Sequence, residues 1–181
     1  MKELIDKISS YKLFNYLLPG VIFSILANNF TKYSIIQKDI IIGAFVYYFI
    51  GVGISRFGSL IIEPVLKKAS FLKSYEYEDF ATSSKKDDKL EILLEATNIY
   101  RTLLATFILL LFFKLFEIIA NRLPILDKFA FVGLIFFLFI IYLFAYKKQN
   151  AYVAKHINIV KKSVKTKRAK GAKKSKRKKN T

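Results

Sequence analysis

Residues Phe129–Tyr146 read FAFVGLIFFLFIIYLFAY, eighteen positions without a charged side chain. A helix of that length rises about 27 Å at ~1.5 Å per residue, close to the ~30 Å hydrocarbon core of a bilayer. In lipid the backbone amides must bond within the segment, so such a run is expected to cross the membrane as an α-helix.

Three further apolar segments precede it. Ile99–Ala120 carries Lys114 and Glu117 near its far end. Ile40–Ile62 is interrupted among charged residues only by Arg56, and Pro64 is expected to end or kink its helix. Leu13–Phe30 (LFNYLLPGVIFSILANNF) is barely long enough, and Pro19 and Gly20 predict a kink near its start. The fold class expected is all-α: a polytopic membrane protein with about four transmembrane helices, cytoplasmic helical extensions and a disordered basic C-terminal tail.

Charge sorts the remainder of the chain. The protein has 181 residues, is 54% hydrophobic and carries a formal net charge of +18. The last acidic residue is Asp127, and Lys147 to Thr181 alone holds 15 Lys/Arg. Residues 1–146 are left nearly neutral. The chain divides into five regions: an interfacial amphipathic helix over 1–12, two spans within 13–66, a polar loop with a helix over 67–98, two spans within 99–146, and the basic tail over 147–181.

Placing the N-terminus, the middle loop and the tail on one side gathers 26 of the 31 Lys/Arg there, against 5 on the other. The positive-inside rule then predicts a multi-pass protein of the cell's inner (plasma) membrane with both termini cytoplasmic. Within the middle loop, Ser84 and Asp87 fit a Ser-x-x-acid helix start, with Leu90, Leu93, Leu94 and Thr97 on one face. That helix is expected to run into the third span. Tyr152, Val153, His156, Ile157 and Val160 form a loose apolar stripe beyond the fourth span, and the two extensions are expected to pack on each other.

Several residues stand out as candidates. Gly51, Ser55 and Ser59 recur every four positions, with Gly58 one heptad from Gly51. Small residues so spaced let two helix backbones approach, either within the chain or between copies of it. Arg56 is expected to snorkel to the headgroups or to pair with Glu63, seven residues on and on the same face. Lys114 and Glu117, three apart, predict an intrahelical ion pair, or the mouth of a pore if copies of the chain ring one.

Catalytic chemistry finds no constellation. The chain has no cysteine, hence no thiolate nucleophile, disulfide or thiolate metal site. His156, the single histidine, stands among lysines with no neighbouring acid, and no metal site is expected. There is no glycine-rich phosphate loop, and no cofactor is expected. The absence of an internal repeat argues against an inverted-repeat transporter.

The tail carries Lys161, Lys162, Lys165, Lys167, Arg168, Lys170, Lys173, Lys174, Lys176, Arg177, Lys178 and Lys179, with nothing apolar larger than Val164. Such a stretch cannot bury enough surface to fold alone. It suits anionic lipid headgroups, where each cation contributes about 1 kcal/mol, or nucleic acid, where binding releases counterions. Without aromatic residues it offers no base-stacking platform.

No motif points to a family. In architecture alone the chain resembles membrane-insertion factors, whose basic cytoplasmic tails meet ribosomes, and small four-span subunits of bacterial defence and membrane-perturbing systems. The first resemblance implies ribosome contact through the tail; the second implies an oligomeric pore. No charged residue lies deep in the middle of a span to mark an insertase groove. The function expected is a non-enzymatic membrane protein whose basic face recruits or anchors an anionic or protein partner. The alternative is a pore-forming or membrane-perturbing homo-oligomer assembled on the Gly51/Ser55/Ser59 face. The partners expected are therefore the lipid bilayer, anionic headgroups or nucleic acid at the tail, and a second copy or a protein at the loop.

Overall fold

The computed structural model describes the backbone of residues 2–73, 77–84, 87, 89–123 and 125–179, and the side chains of 13–73, 77, 79–84, 87, 89, 90, 92–123 and 125–161. Among the described residues the fold is entirely helical, without strands. Four helices are long and apolar enough to cross a membrane, as a multi-pass membrane protein requires.

The first, α1 (Lys2–Phe30), continues through Pro19. It joins the stretch before Leu13 and the first span into one rod. The amphipathic placement expected over 1–12 falls on side chains outside the described residues. Within the span, hydroxyls are satisfied locally: Ser24 Oγ donates to the Gly20 carbonyl at 2.8 Å.

The second span starts at α2 (Ile40–Phe57), whose N-cap Asp39 accepts the Ile42 amide at 2.9 Å. It does not end before Pro64. A π-helical turn over Gly58–Ile62 succeeds α2, and α3 (Glu63–Lys68) continues the rod with Pro64 in its first turn. The helix closes with Ser70 at φ 56°, in the left-handed region, where the Phe71 amide returns to the Leu66 carbonyl and the Ser70 amide to that of Lys67.

A short helix, α4 (Tyr77–Ser83), occupies the middle loop. The third span, α5 (Lys89–Arg122), rises out of that loop without a break. Its start lies five residues later than Ser84: the Asp87 carboxylate accepts the Lys89 amide at 3.0 Å, while the Ser84 amide bonds back to Phe80 and closes α4. A carboxylate is the stronger acceptor for exposed amides at the positive end of a helix, and Asp87 takes the role.

The fourth span begins α6 (Ile125–Lys179), which extends far past the apolar run. The disorder expected of the tail falls on residues 162–181, whose side chains lie outside those described. Like charges at i, i+4 with no acid among them oppose a helix there standing in water by itself.

The core is drawn from all four spans: Phe23, Ala27, Ile54, Phe57, Ile62, Ala105, Leu109 and Ile141. Small residues let the backbones close on it. A methyl group on Gly20 would overlap the Tyr47 carbonyl, and one on Gly51 would overlap the Tyr16 carbonyl, so α1 and α2 touch backbone to backbone. On α5 the buried face is Thr102, Ala105 and Thr106. Both threonines bond back to carbonyls of the preceding turn, at 2.7 and 2.9 Å. Large apolar side chains such as Phe45, Leu111, Phe131 and Phe136 face outward, as a lipid environment permits.

Candidate functional site

Glu63 is the centre of a charged cluster at the end of the bundle that holds the middle loop. Lys67, one turn on, approaches its Oε1 at 2.7 Å. Arg101 of α5 donates from Nη1 to Oε2 at 2.9 Å. Lys148 of α6 lies 4.0 Å from the same oxygen. One carboxylate, about four-fifths buried, therefore serves cations from three helices.

The π-helical turn explains why Lys148 is there. The Glu63 amide reaches back five residues to the Gly58 carbonyl, so it is not directed to Ser59. The next amide in line would be residue 64, and Pro64 has none. The Ser59 carbonyl thus loses both helical donors. Lys148 Nζ donates to that carbonyl at 2.7 Å and to Ser59 Oγ at 2.7 Å. An orphaned carbonyl in the second span is satisfied by an ammonium from the fourth, and the two helices are tied at that point.

The same turn moves Glu63 away from Arg56. A π turn holds one extra residue and offsets the rest of the rod by about 100°. Seven positions apart, Arg56 and Glu63 would share a face on an unbroken α-helix; across this turn they do not. Arg56 instead lines a cleft with Ser59, Leu60, Ala145, Lys148, Gln149 and Tyr152, and among the described residues it pairs with no carboxylate. Arg101 keeps its Nε buried without a partner.

The small residues of the second span divide among three neighbours. Gly51 meets α1 at Tyr16; Gly58 meets α5, with the Arg101 carbonyl 3.3 Å and Ala105 Cβ 3.2 Å from where its own Cβ would stand. Ser59 meets α6 through Lys148, and Ser55 is buried. This face is spent inside the chain.

Other candidates fall elsewhere. Lys114 and Glu117 form the ion pair that their spacing predicts, at 2.9 Å, toward the opposite end of the bundle. At that end Lys32 binds Asp127 at 2.7 Å and Asn121 at 3.3 Å, with the Tyr33 hydroxyl 3.3 Å from the same carboxyl group. The Asp127 carboxylate holds the Lys32 ammonium above its usual pKa. His156 sits beside the middle loop, its Nδ1 3.3 Å from the Tyr77 hydroxyl, and the Tyr77 and Tyr152 rings lie 5.5 Å apart. The loop element that meets the α6 extension here is α4. Of the tail cations from Lys161 onward only Lys161 has a described side chain, and it is exposed; Lys162, Lys165 and those beyond lie outside the described side chains.

Sequence reasoning found Glu63 and Arg56 and missed Arg101 and Lys148. Both are basic residues near the same ends of their spans as Glu63, which is the signal that would have found them. Among the described residues no three His, Cys, Asp or Glu side chains gather to hold a metal ion. Comparison with protein-family models, with curated proteins and with solved structures finds no match to this chain. The cluster's chemistry is that of a carboxylate held in a surplus of cations: it can lock helices together and can face an anion.

Proposed function

We propose that the protein is a non-enzymatic membrane protein that holds an anionic partner at the cytoplasmic surface of the cell's inner membrane. The observation that carries this reading is the division of the basic residues along the sequence: 26 of 31 Lys/Arg fall in the N-terminal stretch, the middle loop and the tail, the segments that four antiparallel spans would leave on one side. The antiparallel order of the helices supports it. The Lys32–Asp127 bond joins the first connection to the start of α6, and the Tyr77–His156 contact joins the middle loop to the α6 extension. Read with the positive-inside rule, the second of these ends is cytoplasmic. Beyond its apolar run α6 continues through Lys147, Lys148, Lys155 and Lys161, so these described cations follow the fourth span on the same helix. The pore reading relied on the face of Gly51, Ser55 and Ser59, and the packing of that face within the chain gives it no support.

The test is truncation. The full chain and a chain ending at Ser163 are reconstituted in neutral-lipid nanodiscs and titrated with single-stranded RNA and, separately, with phosphatidylglycerol vesicles. Recruitment of at least one of the two is expected to fall about tenfold on truncation at low salt, and to weaken steeply with salt in the full chain. Recruitment unchanged by truncation for both probes overturns the reading.

A further inference from the structure

We propose that the cleft between the π-helical turn and α6 is a binding site for the phosphate headgroup of an anionic phospholipid. The site is distinct from the part of the tail that follows Ser163. Its cations are Arg56 and Lys148, its neutral polar groups Ser59, Gln149 and Tyr152.

Charge is the first argument. Glu63 already serves Lys67, Arg101 and Lys148, and Arg56 pairs with no carboxylate among the described residues. A guanidinium facing the Lys148 ammonium across a cleft, with no carboxylate of its own, is unfavourable in a medium of low dielectric constant unless an anion is present. Depth is the second. Arg56 lies sixteen residues into a helix that begins at Ile40, about 24 Å along the rod at ~1.5 Å per residue. That puts its Cα near the edge of a ~30 Å hydrocarbon core, with the side chain long enough to reach the headgroup layer. The side chain therefore reaches the layer in which lipid phosphates are concentrated, whereas a soluble anion would have to be recruited there from dilute solution.

Donor geometry is the third. Arginine presents a planar fork that takes two phosphate oxygens at once, and Lys148 stands across the cleft as a point charge. Lys148 is held by two bonds to Ser59, so its ammonium is positioned before any ligand arrives. Tyr152 also packs against the Tyr77 ring, 5.5 Å away between centroids. A basic cleft between spans on the side facing an acidic leaflet is the setting in which anionic headgroups are recognised. The surplus of positive charge selects a headgroup with net negative charge over a zwitterionic one.

The experiment measures lipid retained by the full chain, in neutral detergent, by native mass spectrometry against phosphatidylglycerol and phosphatidylcholine. The parent is expected to favour phosphatidylglycerol, and Arg56→Gln to lower that preference about fivefold. Arg56→Lys should lie between, keeping the charge and losing the fork. Should Arg56→Gln fail to fold, Gln149→Glu, at an exposed position on the lip, is expected to lower the preference as well. The chain ending at Ser163 should keep the preference, which separates this site from the tail. A preference untouched by Arg56→Gln and Gln149→Glu, or lost with the tail alone, overturns the proposal. Displacement of the lipid by millimolar inorganic phosphate would assign the cleft to a soluble phosphate and overturn the lipid assignment.

Discussion

The second and fourth spans are both apolar enough to cross a bilayer, yet 33% of the second span's apolar window is buried within the protein and only 6% of the fourth's. Greasiness does not explain the difference, since the fourth run is the purer of the two. In lipid an apolar side chain gains nothing by leaving its surroundings for another helix, so packing depends on how closely backbones can approach. The second span offers Gly51, Ser55 and Gly58, each buried. The fourth is bulky nearly all round, and its Gly133 faces open space. It is attached at points: Lys148 on Ser59, Tyr142 stacked on Phe49 at 5.8 Å, Phe137 beside Phe57 at 6.1 Å, and Asp127 on Lys32. Hydropathy decides which segments cross; small residues and polar ties decide which of them form the interior.

The same substitution in the two helices tests that division. Gly51→Leu drives a side chain into the Tyr16 backbone, which cannot move aside as a flexible side chain would. It is expected to cost about 3 kcal/mol or more, at or beyond the upper part of the range for overpacking. A Cβ at Gly133 meets nothing within 4 Å, so Gly133→Leu is expected not to destabilise the protein, and to gain up to about 1 kcal/mol from the loss of a mid-helix glycine. Thermal unfolding in detergent, followed by circular dichroism, reads both. Equal effects in the two helices would break the comparison.

Much of this is legible in the sequence. The lengths and purity of the runs at 13–30, 40–62, 99–120 and 129–146 identify the spans, because lipid imposes one simple demand on the backbone. The spacing of Gly51, Ser55 and Ser59 identifies a contact face. What it does not identify is the partner, since α1, α5 and α6 all meet that stripe, and four-residue spacing is the same whichever helix arrives. The pairing of Glu63 escapes the sequence for a different reason. Face assignments assume 3.6 residues per turn, and the π-helical turn at Gly58–Ile62 breaks the count between Arg56 and Glu63. Pro64 reads in the sequence as the end or kink of a helix; in the structure the wide turn before it lets the helix pass to Lys68. A proline and a glycine six residues apart in one apolar run is a pattern compatible with either outcome.

The charged cluster makes the second span the hub of the bundle, and Glu63→Gln removes the hub while leaving its cations. Arg101 and Lys148 would then remain about four-fifths and seven-tenths buried without a countercharge. A fully buried pair broken in this way loses ~3–5 kcal/mol; these side chains keep some water, and about 2 kcal/mol is expected. Unfolding in detergent measures the total. Cysteine cross-linking between α2 and α6 should fall as well, because Lys148 would keep only its Ser59 bonds. A Glu63→Gln variant as stable as the parent, with undiminished cross-linking, would mean that the fourth span is held without Glu63, by the Ser59 bonds, the aromatic contacts and the Lys32–Asp127 pair.

The tie between Lys148 and the Ser59 carbonyl can be isolated from the rest of the cluster. Lys148→Met keeps the length of the side chain and removes the donor, so the carbonyl that Glu63 and Pro64 leave unserved becomes an orphan. The expected cost is about 1–2 kcal/mol, the penalty for an unsatisfied buried acceptor. In a Pro64→Ala background the amide at 64 is restored and can donate to Ser59 in the register of the π turn. Lys148→Met should then cost less than about 0.5 kcal/mol in backbone terms, and the double-mutant cycle should show a coupling of about 1 kcal/mol between residues 64 and 148. These two residues lie on different helices, and the Ser59 carbonyl is what couples them. Strict additivity of the two substitutions would sever that link and leave the ion pair with Glu63 as the reason for Lys148's position.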